Sequence, residues 1–104
     1  MSTTYRPGAR LFSAVCTTEM IAVRVPAGPV DITIGGVAPV ASAAERKAGG
    51  AVLDGHGGGA SMGKRYVDEA GTVELLCTKA GDGRPALSGE LLELKEAKAL
   101  PASD

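Results

Sequence analysis

Two cysteines, a single histidine and a glycine run ending at Gly63-Lys64 are the residues here whose types could support chemistry. A tetrathiolate iron or zinc site needs four soft ligands converging on one ion. Cys16, Cys77 and His56, completed by Asp54, form the largest such set available, and their spacing matches no metal-binding motif. That set is kept as a metal or redox alternative, while the plainer reading gives no metal ligands and a solvated loop histidine. A catalytic thiol needs a nearby base or a positive environment that lowers its pKa. Cys77 lies among apolar strand residues and reads as an inert, packed thiol, whereas Cys16 precedes Thr17-Thr18 at a strand end and reads as more exposed. A disulfide between them requires Cα atoms within about 7 Å; a reduced pair is the expectation in a cytoplasmic protein. Gly58 to Lys64 has phosphate-loop spacing, but Arg65 replaces the hydroxyl residue and a strand follows. No catalytic residue and no cofactor are therefore expected.

Four charged residues form a different pattern. Glu19 and Glu74 are separated in sequence by the same interval as Arg10 and Arg65. The glutamates read as solvent-facing strand residues that pair across a sheet with Arg24 or Lys79. The arginines either anchor the turns before two hairpins or line a symmetric anion-binding or partner surface. Arg10, Glu19, Arg65 and Glu74 are thus a candidate interaction surface.

The chain that must position them has 104 residues, enough for one domain, and a net charge of −1. That balance gives no electrostatic reason to bind nucleic acid. No apolar run approaches the ~20 residues of a membrane span, and the first residues lack a signal-peptide layout, so the cytoplasm is the expected location. Trp is absent and Phe12, Tyr5 and Tyr66 are the only aromatics. A core built from aliphatics in so small a chain favours self-association or docking on a larger protein partner.

Alternation and turn signals predict strands over 11–15, 20–25 and 30–34, then over 65–67, 73–79, 86–88 and 91–94. Ala41 to Ala48 reads as a short helix with Ser42 and Glu45 as a capping box. The glycines that follow make 41–62 a flexible linker, Ala80 to Gly83 reads as a hairpin turn, and 95–104 is a peripheral tail. The expectation is one small all-β domain made of a repeat over 8–40, the linker, and a repeat over 63–94. When Gly8 is laid on Gly63, the two regions align without a gap as far as Gly28 on Gly83. Gly8/Gly63, Arg10/Arg65, Thr17/Thr72, Glu19/Glu74 and Gly28/Gly83 are identical along that alignment. Further on, after a gap, Gly35-Gly36-Val37 meets Ser88-Gly89-Glu90. A pair of such units completes one core about a pseudo-twofold axis.

Arg65-Tyr66-Val67-Asp68-Glu69-Ala70-Gly71-Thr72-Val73-Glu74-Leu75-Leu76, with Lys79 to Gly83 and Ser88 to Leu92, resembles desulforedoxin and the desulforedoxin-like domain of some superoxide reductases. The resemblance implies a twofold pair of small β units around iron centres, here fused in one chain. The family's cysteine pairs would fall on Tyr66 and Glu69, and on Leu87 and Ser88. In the first copy they would fall on Leu11 and Ala14, then near Ile34 and Gly35. None is a cysteine. The resulting expectation is a metal-free scaffold serving as a non-catalytic accessory module of a larger enzyme. The alternatives are the metal or redox protein above, and a small enzyme subunit lending Arg10, Arg65 or the glycine loop to a shared active site.

Overall fold

Period-two alternation of aliphatic and polar residues produces strands in each predicted region of the computed structural model, which describes residues 2–46 and 50–95. The one strand expected over 91–94 is broken at Leu92 into two that join different sheets. They are β1 (Arg10–Phe12), β2 (Glu19–Arg24), β3 (Ile32–Ile34), β4 (Arg65–Val67), β5 (Glu74–Lys79), β6 (Pro85–Leu87), β7 (Glu90–Leu91) and β8 (Glu93–Leu94). The protein is all-β, with antiparallel pairing throughout. One sheet has the order β1-β2-β5-β4-β8, the other β3-β6-β7.

Side chains on one face of each sheet meet in a single core. Leu11, Met20, Ala22, Tyr66, Leu75 and Cys77 come from the larger sheet, Ile32 and Ile34 from the smaller. Val73, Leu92 and Ala60 close it from the connecting segments. Each fully buried Leu or Ile contributes about 1.5–3 kcal/mol of transfer free energy. Tyr66 is the only buried aromatic among the described residues, so the aliphatics carry that core.

β2 and β5 lie at the centre of the larger sheet, and their register slips twice. Val23 on β2 and Thr78 on β5 are each left without a partner, and these two bulges occupy matching positions when Gly8 is laid on Gly63. Other bonds share that offset. Gly8 N–H donates to Ala22 O and Ala22 N–H to Ala9 O, while Gly63 N–H donates to Cys77 O and Cys77 N–H to Lys64 O. Two tight turns of one type follow at a slightly shorter spacing. Gly35-Gly36 joins Ile34 to Val37, and Ser88-Gly89 joins Leu87 to Glu90. Both turns have positive φ at both central residues, the type I′ geometry that suits a two-residue hairpin.

Three local expectations are corrected. Ala80 to Gly83 does not close a hairpin, because β5 and β6 belong to different sheets. It crosses instead from one sheet to the other beneath the 13–18 turn. Thr17 Oγ1 donates to Ala80 O at 2.8 Å and Thr18 Oγ1 to Gly83 O at 3.1 Å. A Cβ on Gly81 would collide with the Thr18 backbone, and one on Gly83 would lie 2.9 Å from the Gly35 backbone. Nor are residues 53–60 a free linker. Leu53 N–H donates to Gly35 O, Gly59 N–H to Asp82 O and Ala60 N–H to Gly81 O, and Arg84 N–H donates to His56 O. The expected helix is one 3₁₀ turn, Ala43–Glu45, whose Ser42 Oγ meets Glu45 Oε2 at 3.3 Å but caps no backbone N–H. Of its expected span 41–48, positions 47–48 lie outside the described residues, as does the tail beyond Lys95.

Ser88 is the only described non-glycine residue with positive φ. Asparagine tolerates that conformation better than serine. Ser88→Asn is expected to raise stability by about 0.5 kcal/mol, whereas Leu75→Ala in the core is expected to remove about 2–5 kcal/mol. Urea unfolding followed by circular dichroism measures both.

Candidate functional site

Strand register decides which of the charged residues meet. Arg10, Ile21, Leu76 and Arg65 stand side by side in one row across β1, β2, β5 and β4. The flanking rows are Phe12–Glu19–Lys79 on one side and Arg24–Glu74–Val67–Glu93 on the other. Leu11, Met20, Ala22, Leu75 and Cys77 point into the core, so these alternate residues share the opposite, outward face. All four charged positions marked in the sequence therefore lie on one side of one sheet. Ile21 and Leu76 are half-buried at its middle. Beside them a shallow cavity of about 250 Å³ is bounded by Arg10, Phe12, Glu19, Ile21 and Lys79.

Two ion-pair clusters set the electrostatics of this face. Glu19 Oε2 lies 2.9 Å from Arg46 Nη2 and 3.9 Å from Lys79 Nζ, the cross-strand partner expected for it. Arg46 Nε also donates to Ser13 O at 3.0 Å, which ties the segment after the 3₁₀ turn to the sheet. Glu74 departs from expectation. It faces Arg24 in register, yet its carboxylate is held by Lys95 Nζ at 2.9 Å and Arg65 Nη1 at 3.2 Å. Only 6% of its side chain is exposed, so it is not solvent-facing. The Lys95 hydrogen bond, with the charges of Lys95 and Arg65, outweighs desolvation and holds the Glu74 carboxyl below its ordinary pKa. Arg24 Nη1 reaches Gly71 O at 3.4 Å instead. Arg10 is exposed and makes no ion pair or hydrogen bond to another described side chain.

The two thiols lie apart from this face and differ from each other. Cys16 Sγ sits 3.1 Å from Ser13 Oγ and 3.3 Å from Thr18 Oγ1. Burial pushes its pKa up, but those hydroxyls and the N–H groups of Thr18 and Gly83 favour the thiolate more strongly and bring it below the ordinary value. Cys77 Sγ donates to Lys79 O at 3.2 Å, and burial pushes its pKa up. Both are free thiols. Among the described residues no three His, Cys, Asp or Glu side chains converge to hold a metal ion, so Cys16, His56 and Cys77 do not form a common site. The Gly58–Lys64 segment offers no phosphate cradle either. The N–H groups of Gly59, Ala60, Gly63 and Lys64 are all bonded to carbonyls of the chain.

The positions matched to desulforedoxin ligands divide. Glu69, Leu87 and Ser88 line one cavity of about 350 Å³ at the 68–73 turn. Tyr66 instead points into the core, its phenol oxygen accepting the Ser61 N–H at 3.0 Å. Leu11, Ala14, Ile34 and Gly35 are buried. No family model, no curated protein and no solved structure matches this chain. No described helix is long and apolar enough to cross a membrane.

Sequence reasoning located the four charged residues but missed Ile21 and Leu76 as their centre, and Arg46 and Lys95 as their partners. Ile21 and Leu76 were visible as aliphatics at matching places in the two aligned regions. Nothing in the sequence signals the other two.

A depressed carboxyl pKa adds stability above the unfolded value near 4.3, and that stability is lost as pH falls through the lower folded value. Asp68 adds to the same trend: burial raises its pKa, but the Val73 N–H and Thr72 hydroxyl lower it further. Stability is therefore expected to fall below about pH 4, and less steeply in Glu74→Gln, which at pH 7 should lose about 1–2 kcal/mol. Urea midpoints across that range report both effects. Alkylation by iodoacetamide is expected to modify Cys16 well before Cys77, with its rate rising at a lower pH; peptide mapping of partly labelled protein measures the order.

Proposed function

We propose that this chain is a non-catalytic interaction module, an accessory subunit or partner of a larger cytoplasmic enzyme, and that it docks through the outward face of its five-stranded sheet. The observation that carries this reading is the central row of that face. Half-buried Ile21 and Leu76 stand together, and Arg10 and Arg65 close the row at either end. Protein interfaces favour this layout, with an apolar centre depleted of charge and arginine enriched around it. Arginine also retains a planar fork of donors even when one of its nitrogens is engaged.

The resemblance to desulforedoxin supports the same reading from another side. Where the family pattern asks for thiolates, this chain has Tyr66, Glu69, Leu87 and Ser88, and four apolar or small residues in the first copy. A scaffold without its ligands is retained for its shape and surface. The bonds and bulges that recur at one constant offset support an origin by duplication, which would explain why the face bears the same charge types on both sides of its centre.

Native mass spectrometry of the untagged protein purified from its own cells tests the proposal. The expected result is a metal-free chain in a complex with a larger protein. A chain recovered only by itself would overturn it. So would a stoichiometric metal that disappears in Cys16→Ser.

A further inference from the structure

Arg10 and Arg65 are separated by three inter-strand intervals, and strands in a sheet lie about 4.8 Å apart. Their backbones are thus about 14 Å apart, with Ile21 and Leu76 between. An extended peptide advances about 3.3 Å per residue and turns alternate side chains to the same side. Its residues i and i+4 lie about 13 Å apart on one side, with i+2 midway. The two patterns match when the peptide runs across the strands.

We infer that the outward face receives an extended acidic segment of a partner protein, with carboxylates at i and i+4 on Arg10 and Arg65 and an apolar residue at i+2 on Ile21 and Leu76. This rests on the interaction-module reading and gives the partner's chemistry. Charge selects the acidic segment. The face carries Arg10, Arg24, Arg46, Arg65, Lys79 and Lys95 against Glu19, Glu74 and Glu93, in a chain whose net charge is −1. Glu19 and Glu74 are already engaged by Arg46, Lys79, Arg65 and Lys95. The Arg10 guanidinium pairs with no described carboxylate. Arg65 uses Nη1 on Glu74 while its side chain stays 53% exposed, which leaves further N–H donors for a second carboxylate. A basic segment would meet like charge at both ends of the row. A second copy of the chain would bring the same surplus of positive charge against itself.

The test is a titration of the full-length, ¹⁵N-labelled protein with a nine-residue peptide carrying glutamate at its third and seventh positions, leucine at its fifth and threonine elsewhere. Amide shifts are expected to cluster around Ile21 and Leu76. Arg10→Ala, which breaks no hydrogen bond or ion pair with a described residue, is expected to weaken binding about fivefold, and replacing both glutamates by glutamine should do the same. The amide spectrum of the variant shows whether its fold is kept. Absence of shifts at about 2 mM peptide, shifts on another surface, or equal affinity for the glutamine peptide would each overturn the inference. Concentration-dependent shifts of the same residues without peptide would assign the face to a second copy and overturn it too. Failure here is distinguishable from failure of the module reading. A larger partner that co-purifies equally well with the Arg10→Ala chain keeps the module and rejects this segment.

Discussion

Six residues of β2 run against six of β5 at the middle of the larger sheet, and the other strands are arranged around that pair. β1 and β4 hang on its two outer edges, and Met20, Ala22, Leu75 and Cys77 supply the centre of the core from its inner side. The pairing joins residues far apart in the chain, so its loop-closure entropy must be recovered from contacts made after it forms. The two bulges bend both strands near the ends of the pair and add twist. The small sheet closes the core from the other side with Ile32 and Ile34, and Tyr66 is the one buried aromatic among the described residues.

The same pair determines the outward face. Because side chains alternate, fixing Met20 and Leu75 in the core puts Ile21, Glu19, Leu76 and Glu74 on the other side. Antiparallel pairing then sets Glu19 against Lys79 and Arg24 against Glu74, so each half presents an acid to a base of the other. The two glutamates are held differently. Glu74 is enclosed by Arg65 and Lys95, whereas Glu19 is braced by Arg46 from the segment after the 3₁₀ turn. Arg10 is thereby left open where its counterpart Arg65 is engaged.

The glycine-rich middle shows how composition misleads. Glycine is costly to order, and a run of it reads as a linker. Here the run lies alongside Gly81 to Gly83, with the N–H groups of Gly59 and Ala60 donating to the Asp82 and Gly81 carbonyls. Positive φ at Gly58 and Gly59 suits that path, and the hydrogen bonds offset part of the ordering entropy. The turn at Ala80 to Gly83 misleads for the same reason. Glycine marked a tight passage there, and the passage is a crossing between sheets.

Much of this protein follows from the chain itself. Period-two alternation placed most strands to within a residue or two, though the first ends three residues early and the one expected over 91–94 is divided between two sheets. Paired glycines marked the Gly35-Gly36 turn, and Ser88-Gly89 matched it. The charged pairs at matching places in the two aligned regions pointed to the four residues of the face. These are local or repetitive signals, encoded in neighbouring residue types. What the tertiary structure decided is which strands share a sheet, that Lys95 and Arg65 bury Glu74, and that Cys16 lies in a cradle of hydroxyls while His56 and Cys77 lie elsewhere. Those outcomes depend on register and on contacts between segments far apart in sequence, and residue type fixes neither.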